Sequence, residues 1–215
     1  AAGASAGASA SSGEGGAEAE PSNETVPPEE VVLAARLGVE AAVLAWIDGC
    51  GRVDERFEYC FLDGSCVSGM TLLMLASALG HKGLAEALLL RGADVSLTDS
   101  DGSTALISAA ANGREKLVEL ALRHGVEINE RDSGSGNSAL MSFAAHGMEE
   151  AIGMLIRHGA DIDHQNIMDN TALIFAARHG LPSVARQLLG AGANAKIRNV
   201  DGKTALRVAK EEGHT

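Results

Sequence analysis

The chain has 215 residues, a formal net charge of −12, 46% apolar residues and only 3% aromatic ones. Acidity on that scale argues against general nucleic-acid binding, which needs a basic surface to displace counterions from phosphate. No apolar run reaches the length of a transmembrane helix, and the alanine-rich, aromatic-poor composition suits layers of small side chains better than a large globular core.

Residues 1–28, AAGASAGASASSGEGGAEAEPSNETVPP, are Ala, Gly, Ser and Glu with few large apolar groups. Such a stretch cannot offset the entropy of ordering and is expected to be disordered. The chain opens on Ala, with no recognisable secretory leader. An intracellular, cytoplasmic location is expected, with an organelle lumen or matrix after removal of a targeting peptide as the alternative. Pro27-Pro28 precedes a helical pair over 29–54, with Val31, Leu33, Ala34 and Ala35 on the first helix and Ala42, Val43, Trp46 and Ile47 on the second.

Residues 55–68 break that pattern. Phe57, Tyr59 and Phe61 alternate with Glu58 and Cys60 at a strand period of two, and Asp63-Gly64 signals a hairpin turn. Four of the six aromatics lie between Trp46 and Phe61. This finger either contacts a partner or folds back to cap the first unit. Cys60 and Cys66 flank its turn, so a hairpin disulfide is the alternative to the free thiols expected in a reducing compartment. With Cys50 as the third cysteine there is no CxxC-like spacing and no fourth ligand, so no metal site is expected.

From residue 69 the chain repeats. Thr71, Thr104, Ser138, Thr171 and Thr204 are spaced 33, 34, 33 and 33 residues apart. Glycines follow in phase: Gly80, Gly113, Gly147, Gly180 and Gly213 nine residues later, then Gly92, Gly125, Gly159 and Gly192 twenty-one residues later. In the unit 100–132, the Thr104 hydroxyl suits a helix N-cap. Leu106, Ala109 and Ala110 form a narrow small-residue face, and Gly113 suits a left-handed helix end. Leu117, Val118, Leu120 and Ala121 then recur at helical spacing before Gly125. Full units span 69–99, 100–132, 133–166 and 167–199, a partial one spans 200–215, and aligning Gly38 with the first phased glycine makes 29–54 a degenerate first unit. A fixed period of this length marks a solenoid in which stacking buries what one unit cannot.

The segments TLLMLASALGH, TALISAAANGR, SALMSFAAHGM and TALIFAARHGL, with the closes LLLRGADVS, LIRHGADID and LLGAGANAK, resemble the ankyrin repeat over roughly Glu29 to Thr215. The resemblance implies an all-α solenoid of helix-turn-helix units with hairpin-like turns, and a non-enzymatic, cofactor-free function in binding or scaffolding another protein. The family's Pro after the Thr is Leu72, Ala105, Ala139, Ala172 or Ala205 here. Its His is Met74, Ile107, Met141, Ile174 or Arg207, so packing is expected to lean on apolar contact. Asp169 stands where the turn glycine belongs, which predicts an irregular fourth turn.

The family binds across a concave face of turn tips and first helices. Carried over by position, that face and the finger give Phe57, Tyr59, Phe61, Met70, Leu79, Asn112, Arg131, His146, Gln165, Ile167, Met168, Arg178, His179 and Arg198. The later part reads as locally basic, with Lys203 included, and the exposed pair Ile167-Met168 adds an apolar element, so the expected partner is an acidic or amphipathic protein segment. Permanent membership of a large assembly, with the finger threading between neighbours, and inhibition of an enzyme are the alternatives. The sequence carries no GxSxG, P-loop or GxGxxG, and its histidines fall at positions set by the repeat.

Overall fold

The hydroxyl at the head of each unit starts a helix by accepting a backbone N–H three residues on. Thr71 accepts from Met74 at 3.3 Å, Thr104 from Ile107 at 3.4 Å, Ser138 from Met141 at 3.5 Å and Thr171 from Ile174 at 3.3 Å. The computed structural model describes residues 26–49, 51–61 and 64–214. The tail expected to be disordered lies outside the described residues up to position 25, as do Cys50 and Asp63.

The helices come in pairs. The first is α1 (Glu29–Leu37) with α2 (Glu40–Gly49), followed by α3 (Leu72–Leu79) with α4 (Lys82–Leu90) and α5 (Ala105–Ala111) with α6 (Glu115–Arg123). Next come α7 (Ala139–His146) with α8 (Glu149–Arg157) and α9 (Ala172–Arg178) with α10 (Pro182–Gly190), then α11 (Ala205–Glu211). First helices stack on first helices and second on second along the chain, so two parallel rows enclose one continuous core. Leu72, Leu75, Leu84, Leu88, Phe143, Ile152 and Leu155 are completely buried between the rows, each contributing about 1.5–3 kcal/mol of burial. Met74, Ile107, Met141 and Ile174 are likewise buried, at 1–3% exposure. They place apolar contact where the usual histidine would hydrogen-bond.

The first phased glycines serve two purposes. All take positive φ and end a helix, and on all but Gly213 the following unit also closes. A Cβ on Gly38 would lie 2.6 Å from Nδ1 of His81, and one on Gly113 would lie 2.9 Å from Cε of Met148. From Gly80 onward the residue after the glycine reaches back across the stack. The His81 ring meets the Arg36 carbonyl at 2.9 Å, Arg114 donates to the Ala78 carbonyl, and the His214 ring meets the Arg178 carbonyl.

The finger is a two-stranded antiparallel hairpin, β1 (Phe57–Cys60) with β2 (Cys66–Met70), pairing Phe57 with Met70, Tyr59 with Val67 and Cys60 with Cys66. An extra residue in β2 makes a bulge at Gly69, whose φ of +73° suits that role. Alternation turns Phe57, Tyr59, Val67 and Met70 into the core and leaves Glu58, Cys60, Cys66 and Ser68 outside. Phe61 packs edge-on against Tyr59, with ring centroids 5.0 Å apart. Cys60 and Cys66 are joined as a disulfide, which corrects the expectation of free thiols at these two positions. The opposed strand register brings the two side chains together whatever the loop between them.

Candidate protein-interaction surface

Each turn is built by one side chain. Asp99 accepts the N–H groups of Asp101 and Ser103, Asp132 those of Ser135, Gly136 and Asn137, Asn166 those of Met168 and Asn170, and Asn199 those of Asp201 and Lys203. Burial pushes the Asp99 carboxyl above its ordinary range, and the two N–H groups oppose that shift. Successive turns pair through the backbone. Ser100 N donates to Ser68 O, Ser133 N to Asp101 O, Ile167 N to Ser135 O and Val200 N to Met168 O, at 2.6–3.1 Å. In the later turns asparagine adds a rung to the preceding turn: Asn166 Nδ2 donates to Asn137 Oδ1 at 2.8 Å, and Asn199 Nδ2 to Asn170 Oδ1 at 3.2 Å. The sequence reading missed this ladder, although Asp99, Asp132, Asn166 and Asn199 recur in phase with the repeat.

The fourth turn is regular, contrary to expectation. Asp169 takes φ +53°, alongside Gly102 at +72°, Gly136 at +70° and Gly202 at +71°. Its N–H closes the turn on the Asn166 carbonyl at 2.8 Å, as Gly202 does on Asn199. Aspartate enters the left-handed region more readily than most side chains, so the turn keeps its shape without glycine.

The predicted contact residues separate by burial. Phe57, Tyr59 and Met70 are 6%, 9% and 2% exposed and cannot present their side chains to a partner; strand alternation points them into the core. Phe61 and Leu79 are half-buried and pack against that core. Arg178 is half-buried too. Its guanidinium lies 5.6 Å from the Phe175 ring centroid and donates to Asn170 Oδ1 at 3.4 Å, so part of its charge is engaged within the fold. Asn112 is exposed but spends its amide on the Ser108 carbonyl at the end of α5. Arg131, His146, Gln165, Ile167, Met168, His179 and Arg198 are exposed.

Ile167 and Met168 are 65% and 48% exposed, and Val200, whose N–H bonds the Met168 carbonyl, is 52% exposed. These three large apolar side chains sit on two adjoining turn tips. Val200 falls one repeat after Ile167, at a position the repeat assigns to the same face. The charge around them is mixed and not basic: Arg198 shares these turns with exposed Asp169 and Asp201, Arg131 heads the turn before them, and Lys203 is paired with Glu211 at 2.6 Å. Arg198 also donates to the Gly202 carbonyl at 2.6 Å. The rings of His81, His146, His158, His164 and His214 all meet backbone carbonyls, a use that fastens chain segments together.

A family model described as ankyrin repeats, three copies long, matches residues 32–132, 73–166, 110–199 and 140–215, so the overlapping matches cover most of the chain. The chain belongs to the ankyrin repeat family. Ankyrin repeats are protein–protein interaction modules, typically without catalytic activity, and the paired helices and phased turns described above are the ankyrin solenoid. Among the described residues no helix is long and apolar enough to cross a membrane. Within the ankyrin frame, first helices and turn tips come from different units and lie side by side, so a surface is assembled from residues about 33 positions apart.

Proposed function

We propose that this ankyrin domain is a non-enzymatic binding module that captures an amphipathic segment of another protein on the turn tips of its later units. The observation that carries the reading is the exposed trio Ile167, Met168 and Val200 on two hydrogen-bonded tips. Turn tips ordinarily carry polar residues because they face water, and adjoining exposed apolar side chains mark interaction sites more often than isolated ones. Arg198 supplies a cation on these tips, with Arg131 on the preceding turn, and Asp169 and Asp201 supply anions. An apolar anchor flanked by charges of both signs therefore fits better than a purely acidic peptide. The alternative of permanent assembly membership leaned on a threading aromatic finger, and Phe57 and Tyr59 are instead turned inward.

A displayed peptide library panned against the intact chain tests this. Selected peptides are expected to carry large apolar side chains at helical or strand spacing. The triple variant Ile167→Ser/Met168→Ser/Val200→Ser is expected to weaken them by at least about 30-fold, about 2 kcal/mol, from losing three partly buried anchors. Arg198→Glu changes affinity only a few-fold, in a salt-dependent way. Peptides that bind the triple variant as well as the parent chain overturn the proposal.

A further inference from the structure

The outward face of the finger gathers three metal-ligating side chains that the protein-binding reading does not use. Alternation along β1 puts Glu58 and Cys60 on the same face as residues i and i+2, and the strand register sets Cys66 directly across from Cys60. All three are exposed, and a Glu58 carboxylate oxygen and the two Sγ atoms lie within 4.8 Å of one another. The opposite face anchors them: Phe57, Tyr59, Val67 and Met70 are buried, and Arg56 donates to the Thr98 carbonyl at 2.9 Å. The hairpin thus supplies by geometry the proximity that the sequence spacing lacks.

We propose that this corner is a redox-gated site for a soft divalent cation, zinc being the natural occupant. In the oxidised chain the sulfurs are bonded to each other and offer no thiolate. A dithiol reductant opens the bond: its thiolate attacks one cysteine sulfur and expels the other cysteine as a thiolate, and its second thiolate then attacks the reductant's own sulfur in the mixed disulfide and expels the remaining cysteine. Two electrons pass to the cysteine pair, the reductant leaves as its own disulfide, and both cysteines end as thiols. Zinc then replaces the two thiol protons, releasing them to solvent, and takes both Sγ atoms with the Glu58 carboxylate as third ligand and water as fourth. Zinc–sulfur bonds of about 2.3 Å at a tetrahedral angle separate two thiolates by about 3.8 Å, a spacing that side-chain rotation at two exposed, opposed positions supplies. Two thiolates favour zinc over calcium or magnesium, which take oxygen ligands.

The test uses the full chain carrying Cys50→Ser, so that the pair holds the only thiols. Phosphine-reduced and oxidised samples, freed of reductant, are titrated with zinc against a chromophoric chelator and with cobalt as a spectroscopic probe. The reduced chain is expected to bind one more ion than the Cys60→Ser/Cys66→Ser variant, with a thiolate-to-cobalt charge-transfer band that the oxidised chain lacks. Glu58→Gln keeps the band but weakens affinity at least about tenfold, the low end of what even a supporting group at a metal site contributes. Far-ultraviolet circular dichroism checks that the variants stay folded. Should the double serine variant lose structure, the Glu58→Gln comparison and the cobalt band decide alone. A reduced chain that binds no more than the double serine variant, or Glu58→Gln binding as tightly as its parent, overturns the proposal.

Discussion

Replacing Gly38 by alanine probes whether the first phased glycine is required by its own conformation or by the next unit closing upon it. Gly38 sits at φ +72°, and an L-residue there costs about 1–2 kcal/mol. Stiffening of the unfolded chain offsets about 0.4–1 kcal/mol of that, so conformation alone leaves about 1 kcal/mol. The new Cβ would also lie 2.6 Å from Nδ1 and 2.9 Å from Cε1 of His81. That ring is held by its Nε2 contact with the Arg36 carbonyl, and displacing it forfeits a hydrogen bond worth about 1 kcal/mol. The expected total is about 2 kcal/mol. Gly125→Ala is the control, since Gly125 has φ +76° with nothing within 4 Å of its Cβ position, and about 1 kcal/mol is expected there. Urea titrations followed by Trp46, the single tryptophan and part of α2 in the same unit, report on this region, with circular dichroism following the remainder. His81→Ala completes a double-mutant cycle with Gly38→Ala. Additivity within about 0.3–0.5 kcal/mol, or a Gly38→Ala cost no greater than that of Gly125→Ala, would refute the close-approach argument.

Glu130→Leu should raise the melting temperature at pH 7 by the equivalent of roughly 1 kcal/mol, because one Glu130 carboxylate oxygen is buried without a partner. Burial, reinforced by Glu127 and opposed by the Thr104 hydroxyl, lifts its carboxyl above the ordinary 4.5. The folded chain therefore holds this proton more tightly than the unfolded chain. That contribution is full below the ordinary value and is lost as pH rises through the lifted one, so the variant's advantage should shrink toward pH 4; an equal shift at both pH values would contradict the burial argument. Asp169→Gly should stabilise by about 0.5 kcal/mol by relieving a left-handed non-glycine residue at φ +53°; a lower melting temperature would mean that the carboxylate contributes more than its backbone conformation costs.

Features set by local chemistry were legible in the sequence. The hydroxyl caps and the helix-ending glycines follow from what Thr71 or Gly80 can do within its own few residues, and the structure shows both. The inward turn of Phe57 and Tyr59 was not legible, because alternation defines two faces without saying which one meets the core. The state of Cys60 and Cys66 was not legible either, since spacing permits the bond and surroundings decide it. The asparagine ladder was in plain view as a 33-residue recurrence, but its rungs between successive turns need the amide of Asn166 to face Asn137, a relation of packing. Exposed Ile167 and Met168 were readable because a residue between two turn-forming side chains has nowhere to go but out. The expected basic character failed for the opposite reason: whether Lys203 is free depends on Glu211, eight residues further on, folding back over it.

The rungs are unevenly distributed along the stack. At the tips, Ser68 and Ser100 are joined by two hydrogen bonds, one of them through the Ser100 hydroxyl. The third and fourth turns share a backbone bond, the Asn166 amide and the His164 ring on the Gly136 carbonyl, while the fourth and fifth share a backbone bond and the Asn199 amide. Between the second and third turns, among the described residues, the Ser133–Asp101 backbone bond spans the ladder without an asparagine amide beside it, because the carboxylate of Asp132 has no N–H to give. Under bending or tension the row of turn tips should therefore yield first at this seam, while Asn129 still ties the same two units through the Gly159 carbonyl and the Asp161 N–H. The tip row then behaves as two stiffer arms, one beginning at the hairpin and the other carrying the apolar tips, whose separation can change without breaking an asparagine rung.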